Sequence, residues 1–203
     1  LSPIPKMSAR HFLALLLTST ACMAALAQDG VFHILRGDKV LGNIDVLRVT
    51  KGDRVAYSMI SYSSFNLVWD QEVRTVARTS YVGGRVAECL TTVHVNEDLR
   101  DSSALRTIAG RGLYVVHPRT VYSAALPDNP WTTARMYYEE PLGQDSVFVE
   151  SELIECPVVR IAPGEYILKL PRKENNHYIY RNGLLHEIRV DRGWLSLVFR
   201  RAG

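Results

Sequence analysis

The residues best equipped for chemistry gather in one stretch. Glu139, Glu140, Asp145, Glu150, Glu152 and Glu155 follow one another with no Lys or Arg between Arg135 and Arg160. Several carboxylate oxygens together suit a hard cation such as Ca²⁺, but the spacing fits no EF-hand loop, and a solvated acidic rim is the simpler reading. Paired carboxylates also hydrolyse glycosides, which needs two acids held roughly 5–10 Å apart across a cleft. Glu150 and Glu152 would alternate onto one face of a strand, as ordinary exposed strand carboxylates also do. Glu140 is the acid to test first, because the adjoining Pro141 can fix its direction.

Two histidines form the next constellation. In the simplest register of a C-terminal hairpin, His177 and His186 are diagonal neighbours with Cα atoms about 7–8 Å apart. That is near enough to share a metal, but Zn²⁺ takes three or four ligands and no third is visible. Two polar members of a half-buried face is the simpler account. His94 and His117 have no readable partner. Cys89 and Cys156 both fall in predicted strands; a bridge would contribute about 4 kcal/mol in the chain-entropy view, and two buried thiols is the other open reading. The chain has no nucleophile elbow, no phosphate-cradling glycine loop and no Cys-x-x-Cys pair. No cofactor is indicated.

The elements that must position these residues are strands. Apolar and polar residues alternate in short runs, with turn signals at strand-length intervals. Val31 to Arg36, Val40 to Thr50, Arg54 to about Trp69, Glu72 to Val82 and Arg85 to Val95 read as strands. Gly83-Gly84 reads as a two-residue hairpin turn. Asn96 to Ser103 is expected to be a polar loop, followed by short strands at Leu105 to Ala109 and Leu113 to Val116. Asp128-Asn129-Pro130 offers an N-cap before a helix over Trp131 to Tyr138, with a strand as the competing reading. Further on, Tyr166 to Leu170, His177 to Arg181, Leu184 to Val190 and Trp194 to Arg200 are strands, with Asn182-Gly183 as a strong hairpin signal.

Two-residue and three-residue loops in that last region oppose Arg181 to Leu184, Ile179 to His186, His177 to Ile188, Ile188 to Ser196 and Val190 to Trp194. Both faces of the resulting sheet are then substantially apolar, so each needs a cover. The expected fold is all-β: a curved antiparallel sheet or partly open β-barrel of about ten strands, with one short helix near 130–138. Charged residues such as Glu187, Arg189 and Arg200 on both faces argue against an outer-membrane barrel.

Compartment is written at the other end. After Met7 come Arg10 and His11, an apolar run from Phe12 past Met23, and small residues up to Ala27. That order is a secretory signal peptide, and the run is too short and too rich in Ser, Thr and Ala for a membrane-spanning helix. Residues 1–6 precede Met7 and are read as an upstream remnant. Cleavage after Ala27 leaves residues 28–203 as a single β-rich domain, exported to the periplasm or the extracellular space. Lipidation at Cys22 is the lesser alternative, since Ser19 stands where such sites want a Leu-like residue. Residues 1–27 hold Lys6, Arg10 and no acid, so the formal net charge falls from +3 to +1 without them. Near-neutrality gives no electrostatic case for nucleic acid. No later run is long enough for a transmembrane helix, and the oligomeric state is not legible.

The chain resembles an uncharacterised family of bacterial exported proteins, a domain of unknown function. The likeness rests on the early strand–turn–strand around Gly37 to Gly42 and the aromatic–acid–Pro segment Tyr137-Tyr138-Glu139-Glu140-Pro141. The acid-rich Ser146 to Glu152 and the hairpin carrying Tyr178, Tyr180, Asn182, Gly183 and Leu185 complete it. No catalytic residue comes with the resemblance. The fold analogy is to periplasmic half-barrels that hold acyl chains.

Aromatics on strands line either a packed core or a pocket. Tyr137, Tyr138, Tyr178, Tyr180 and Trp194, with Glu140, are the candidate ligand-binding residues. The leading expectation is a non-enzymatic binding protein with an apolar concavity for an apolar small molecule or cell-envelope component. The alternative is a hydrolase acting on envelope polymers through residues 139–155.

Overall fold

A computed structural model of the chain describes residues 26–66, 70–116, 120–193 and 195–203. Residues 1–25 of the expected leader, with Cys22, lie outside that set, as do Trp69, His117 and Trp194.

The first eight strands are β1 (Leu26–Arg36), β2 (Lys39–Lys51), β3 (Arg54–Asn66), β4 (Asp70–Val82), β5 (Arg85–Val95), β6 (Asp98–Ile108), β7 (Arg111–Val116) and β8 (Thr120–Ala124). A single helical turn, α1 (Thr133–Met136), follows. Then come β9 (Ser146–Val149), β10 (Ile154–Ala162), β11 (Glu165–Lys169), β12 (Asn175–Arg181), β13 (Leu184–Asp191) and β14 (Ser196–Arg201). They form one antiparallel sheet of fourteen strands, in the order β8-β7-β6-β5-β4-β3-β2-β1-β14-β13-β12-β11-β10-β9. Each half is a plain meander, and the β1–β14 seam joins them, with Phe32 opposite Arg201 and Ile34 opposite Phe199. The sheet is not closed into a barrel: its two edges, β8 and β9, are consecutive in the chain. The segment between them therefore has to cross the core face of the sheet, and α1 lies on that crossing segment.

The all-β expectation holds, with more strands than the ten counted from sequence. The expected polar loop at 96–103 is a tight turn followed by β6. Asn96 and Glu97 both take positive φ (51° and 71°), the geometry of a two-residue hairpin turn. The Asn96 side chain steadies it by accepting from the Glu72 amide at 2.9 Å. The first four residues of β6 are exposed, so cross-strand pairing with β5 holds them rather than burial. At Gly83-Gly84 and Asn182-Gly183 positive φ at both positions makes the turns that the sequence announces. The helix is shorter than expected. Thr132, not the Asp128-Asn129-Pro130 run, is its N-cap. Asn129 instead accepts from the Trp131 amide and donates to the Ser146 carbonyl, tying the crossing segment to β9.

The C-terminal register differs from the one expected. A bulge leaves Arg181 opposite Leu184 but places Ile179 opposite Glu187, Tyr178 opposite Ile188 and His177 opposite Arg189. The next loop is longer by one residue, so Ile188 faces Phe199 and Val190 faces Leu197. The physical gain is clear: with His186 absorbed in the bulge, Leu185 and Ile188 are both buried on the core face beside Tyr178, Tyr180 and Val190. The opposite face then carries His177, Glu187, Arg189 and Arg200 beside the half-buried Ile167, Ile179 and Val198. It is therefore mixed in character, where a substantially apolar face was expected, and the placing of those charges on both faces is corrected. Arg189 and Arg200 each donate to Glu187, at 2.8 and 2.9 Å. His177 bonds Glu165 at 2.9 Å, so the expected histidine pair does not form.

Two apolar clusters cover the core face. One joins β1, β2 and β9–β14 through Phe32, Ile34, Ile44, Val46, Tyr166 and Leu168. The other joins β3–β7 through Tyr57, Tyr81, Cys89, Leu105 and Tyr114. The crossing segment feeds both: Met136 and Tyr137 enter the first cluster, and Leu126, Ala134 and Tyr138 pack against the second. Each such side chain contributes about 1.5–3 kcal/mol by burial, so the hollow of the sheet is closed largely by its own chain. Among the described residues no helix is long and apolar enough to cross a membrane.

Candidate functional site

The crossing segment meets the sheet at two polar places. The first is built on Glu150, 3% exposed. Its carboxylate accepts from the Thr79 hydroxyl at 3.0 Å, the Thr133 amide at 3.1 Å, the Ala134 amide at 3.1 Å and the Thr133 hydroxyl. Its backbone carbonyl accepts from the Ser103 hydroxyl at 2.7 Å. Thr132 is fully buried beside it and accepts from the Tyr81 hydroxyl at 2.8 Å. The carboxylate thus caps the first turn of α1 and ties it to β4, with every strong acceptor direction used, while the backbone carbonyl of the same residue ties to β6.

The second place is less complete. Arg48 lies on the core face because it shares the period-two register of Ile44 and Val46, and it stands directly opposite Tyr57. Its guanidinium reaches Glu139 at 3.1 Å and lies 5.6 Å from the Tyr57 ring centre. The Tyr138 ring leans on the same Tyr57 ring, with centroids 5.5 Å apart. The Arg48 Nε and the Tyr138 hydroxyl are nevertheless buried without a hydrogen-bond partner. Burial raises the Tyr138 hydroxyl well above the usual tyrosine range, against the pull of Arg201 and Arg48. Burial likewise raises Tyr57.

Beside this corner runs a trough of about 260 Å³ between the crossing segment and the sheet. Val46, Met59, Val93, Leu168 and Leu170 supply its apolar wall; Thr75, Thr91, Glu150 and Asn176 supply polar groups; and Tyr57, Tyr137, Tyr138 and Tyr178 line it. The expected apolar concavity is therefore small and mixed in character, because the crossing segment occupies the rest. A larger hollow, about 600 Å³, lies between strand ends near Tyr62, Arg74 and His94. His94 Nδ1 also lacks a partner, and that hollow is bordered by exposed and half-buried residues and does not touch the crossing segment.

The structure separates the residues singled out from sequence. Tyr137 and Tyr178 are buried and border the trough, as the half-buried Tyr138 does. Tyr180 serves the core: its hydroxyl donates to the Met136 carbonyl at 2.7 Å. Glu140 accepts from the Tyr166 hydroxyl at 2.7 Å, and burial together with that carboxylate pushes Tyr166 up to about 12. Trp194 lies outside the described residues. The acids of 139–155 do not converge. Glu139 pairs with Arg48 and Arg135, Glu150 is enclosed, Glu152 is exposed, and Glu155 accepts from Ser146 at 2.9 Å. Among the described residues no group of three His, Cys, Asp or Glu is placed to hold a metal. Cys89 and Cys156 are both free and buried, one in each cluster. Burial, then the charge of Glu150, pushes the Cys89 thiol up to about 12.

Sequence reading missed Arg48 and Arg201. The signal was present: an arginine in step with Ile44 and Val46, and another in step with Leu197 and Phe199, must each point inward on an alternating strand.

This fold and crossing segment define an all-β class without a known activity. The chain belongs to the family described as Domain of unknown function (DUF6134), which matches residues 32–202. No curated protein matches it. Among solved structures it is similar to the "Beta-barrel-like Protein of Domain of Unknown Function DUF1849" from Brucella abortus, at 12% identity and a TM-score of 0.53. That likeness covers 86% of this chain and 95% of the other, and shows a shared fold.

Proposed function

We propose that the protein is an exported, non-enzymatic binding protein that holds a small amphipathic molecule, of the lipid-like or envelope-derived kind, in the trough under the crossing segment. The observation that carries this reading is the 260 Å³ space left beside Tyr57 and Tyr138, in a hollow that the chain otherwise fills with its own side chains. Its volume falls just below the roughly 300–1,000 Å³ typical of small-molecule sites, which favours a compact ligand over a long acyl chain. Mixed apolar and polar lining favours an amphiphile over a pure hydrocarbon. Export is supported by the charged, apolar and small-residue order of residues 7–27.

The experiment is native mass spectrometry of protein recovered from the envelope fraction, followed by solvent extraction. A co-purifying small amphiphile and an N-terminus at Gln28 are expected. Protein that is empty, and whose melting temperature is unmoved by a panel of small amphiphiles, would contradict the binding role. Intact Met7 in a cytosolic fraction would contradict export.

A further inference from the structure

We propose that the trough selects a cationic amphiphile, whose ammonium head is held between the Glu152 carboxylate and the Tyr137 hydroxyl. This rests on the binding role above and assigns the charge of one end of the ligand.

The charge of the lining sets the sign. Glu150, Glu152 and Glu174 border the trough, and among the described residues Arg192 is the one basic side chain that does. Arg192 is already engaged: its Nε lies 2.9 Å from Glu174, and its Nη2 donates to the Asn176 side-chain oxygen at 3.0 Å. Two carboxylates are left without a cation. Glu150 is almost wholly buried, and its four donors are neutral hydroxyls and backbone amides. Those bonds hold the side chain in place and leave its charge unanswered, in surroundings where charge is weakly screened. Glu152, two residues further along the turn between β9 and β10, is exposed at the rim. Its carboxylate has no ion pair and no hydrogen bond among the described residues. The whole chain carries a formal charge of +3, so the negative excess is local to the trough.

A second observation is independent of that charge. Tyr137 is only 8% exposed and borders the trough. Its ring packs edge-on against Phe32, with centroids 5.4 Å apart, while its hydroxyl bonds no described residue. Unlike the Tyr138 hydroxyl, it is not sealed from solvent. Burial, then the neighbouring Tyr178 and Glu150, hold it protonated far above the usual tyrosine range. Tyr178 and Glu150 both belong to the trough wall, so the hydroxyl that feels them lies on the trough side of its ring. Its oxygen is free to accept. An ammonium brings three N–H donors and the missing positive charge, and so answers Tyr137 and Glu152 together. An alcohol head would match the hydroxyl and leave the charge. A carboxylate head would add a like charge beside Glu150 and Glu152. Val46, Met59, Leu168 and Leu170 receive the apolar tail.

The test is titration calorimetry at neutral pH with octylamine, octan-1-ol and octanoate, on the purified protein and on Glu152→Gln and Tyr137→Phe. Wild type is expected to bind octylamine about tenfold or more tighter than octan-1-ol, the scale of a charge-assisted hydrogen bond, and octanoate more weakly than either. Glu152→Gln, at an exposed position where folding is not at stake, should lower that ratio about threefold or more with octan-1-ol binding unchanged. Tyr137→Phe keeps the ring and should narrow the ratio as well. Octylamine binding no tighter than octan-1-ol, or octanoate binding tightest, would overturn the cationic head and leave the trough reading standing. A ratio left whole by either substitution would overturn this placement of the head. Binding of none of the three would overturn both readings.

Discussion

Glu150 meets the crossing segment from just beyond β9 and Tyr138 lies on that segment, yet the fold completes one and leaves the other unfinished. Glu150 accepts from two hydroxyls and two backbone amides and holds α1 against β4, while Ser103 of β6 binds its backbone. Tyr138 and its neighbour Arg48 are half-buried residues that keep a buried hydroxyl and a buried Nε without acceptors. Buried polar groups cost stability unless paired, so the two places answer different demands. The Glu150 cluster is how the chain fastens its own plug. The Arg48–Tyr138 corner is held instead by the Arg48–Glu139 ion pair and by packing on the Tyr57 ring, with two donors left unsatisfied.

Substitutions can break this contrast. The largest effect is expected at Glu150. Truncation to Ala strands the Thr79 hydroxyl and the Thr133 and Ala134 amides and should cost about 3–5 kcal/mol in urea unfolding. A loss below about 1 kcal/mol would mean that the carboxylate is no anchor. In the native protein Cys89, behind Glu150, should stay unreactive to thiol reagents at mildly alkaline pH and react on unfolding, because its thiol is raised to about 12. Next comes Tyr180→Phe, which frees the Met136 carbonyl from its only side-chain donor described and should cost about 1–2 kcal/mol.

Glu187, on the far face, gives a smaller and pH-dependent effect. Burial alone would raise its carboxyl, but bonds and charge from Arg189 and Arg200 outweigh that and hold it below its ordinary value of 4.5. The folded state therefore binds that proton less readily than the unfolded chain. Its contribution is whole above pH 4.5 and fades as the pH falls through the lowered folded value, and Glu187→Gln should flatten that part of an acid-unfolding curve. The smallest effect is expected at Tyr138→Phe: with no partner to lose, the change in unfolding free energy should stay within about 0.5 kcal/mol.

The legible parts of this molecule were those set by local chemistry. Gly83-Gly84 and Asn182-Gly183 announce their turns because positive φ is cheap for Gly and Asn. Alternation announces the strands and hence the all-β class. What escaped was decided by tertiary gain. Asn96-Glu97 reads as the start of a loop, yet a second non-glycine residue accepts positive φ because the hairpin pairs β5 with β6. His186 looks like a face-forming residue, but absorbing it in a bulge lets Leu185 and Ile188 both bury. Glu150 reads as one more surface acid, since nothing local shows that Thr79 and Ser103 will come from distant strands to meet it. The site was half legible: Tyr138 and Tyr178 were marked from their motifs, whereas Arg48 and Arg201 required the register of an alternating strand to be taken literally for a charged residue.

The most direct test of the contrast is the melting temperature of Glu150→Ala and of Tyr138→Phe beside that of wild type. The account predicts a clear fall for Glu150→Ala, whose carboxylate holds four donors, and a melting temperature equal to wild type for Tyr138→Phe, whose hydroxyl holds none. A Glu150→Ala variant that melts with wild type, or a Tyr138→Phe variant that melts well below it, would contradict the account.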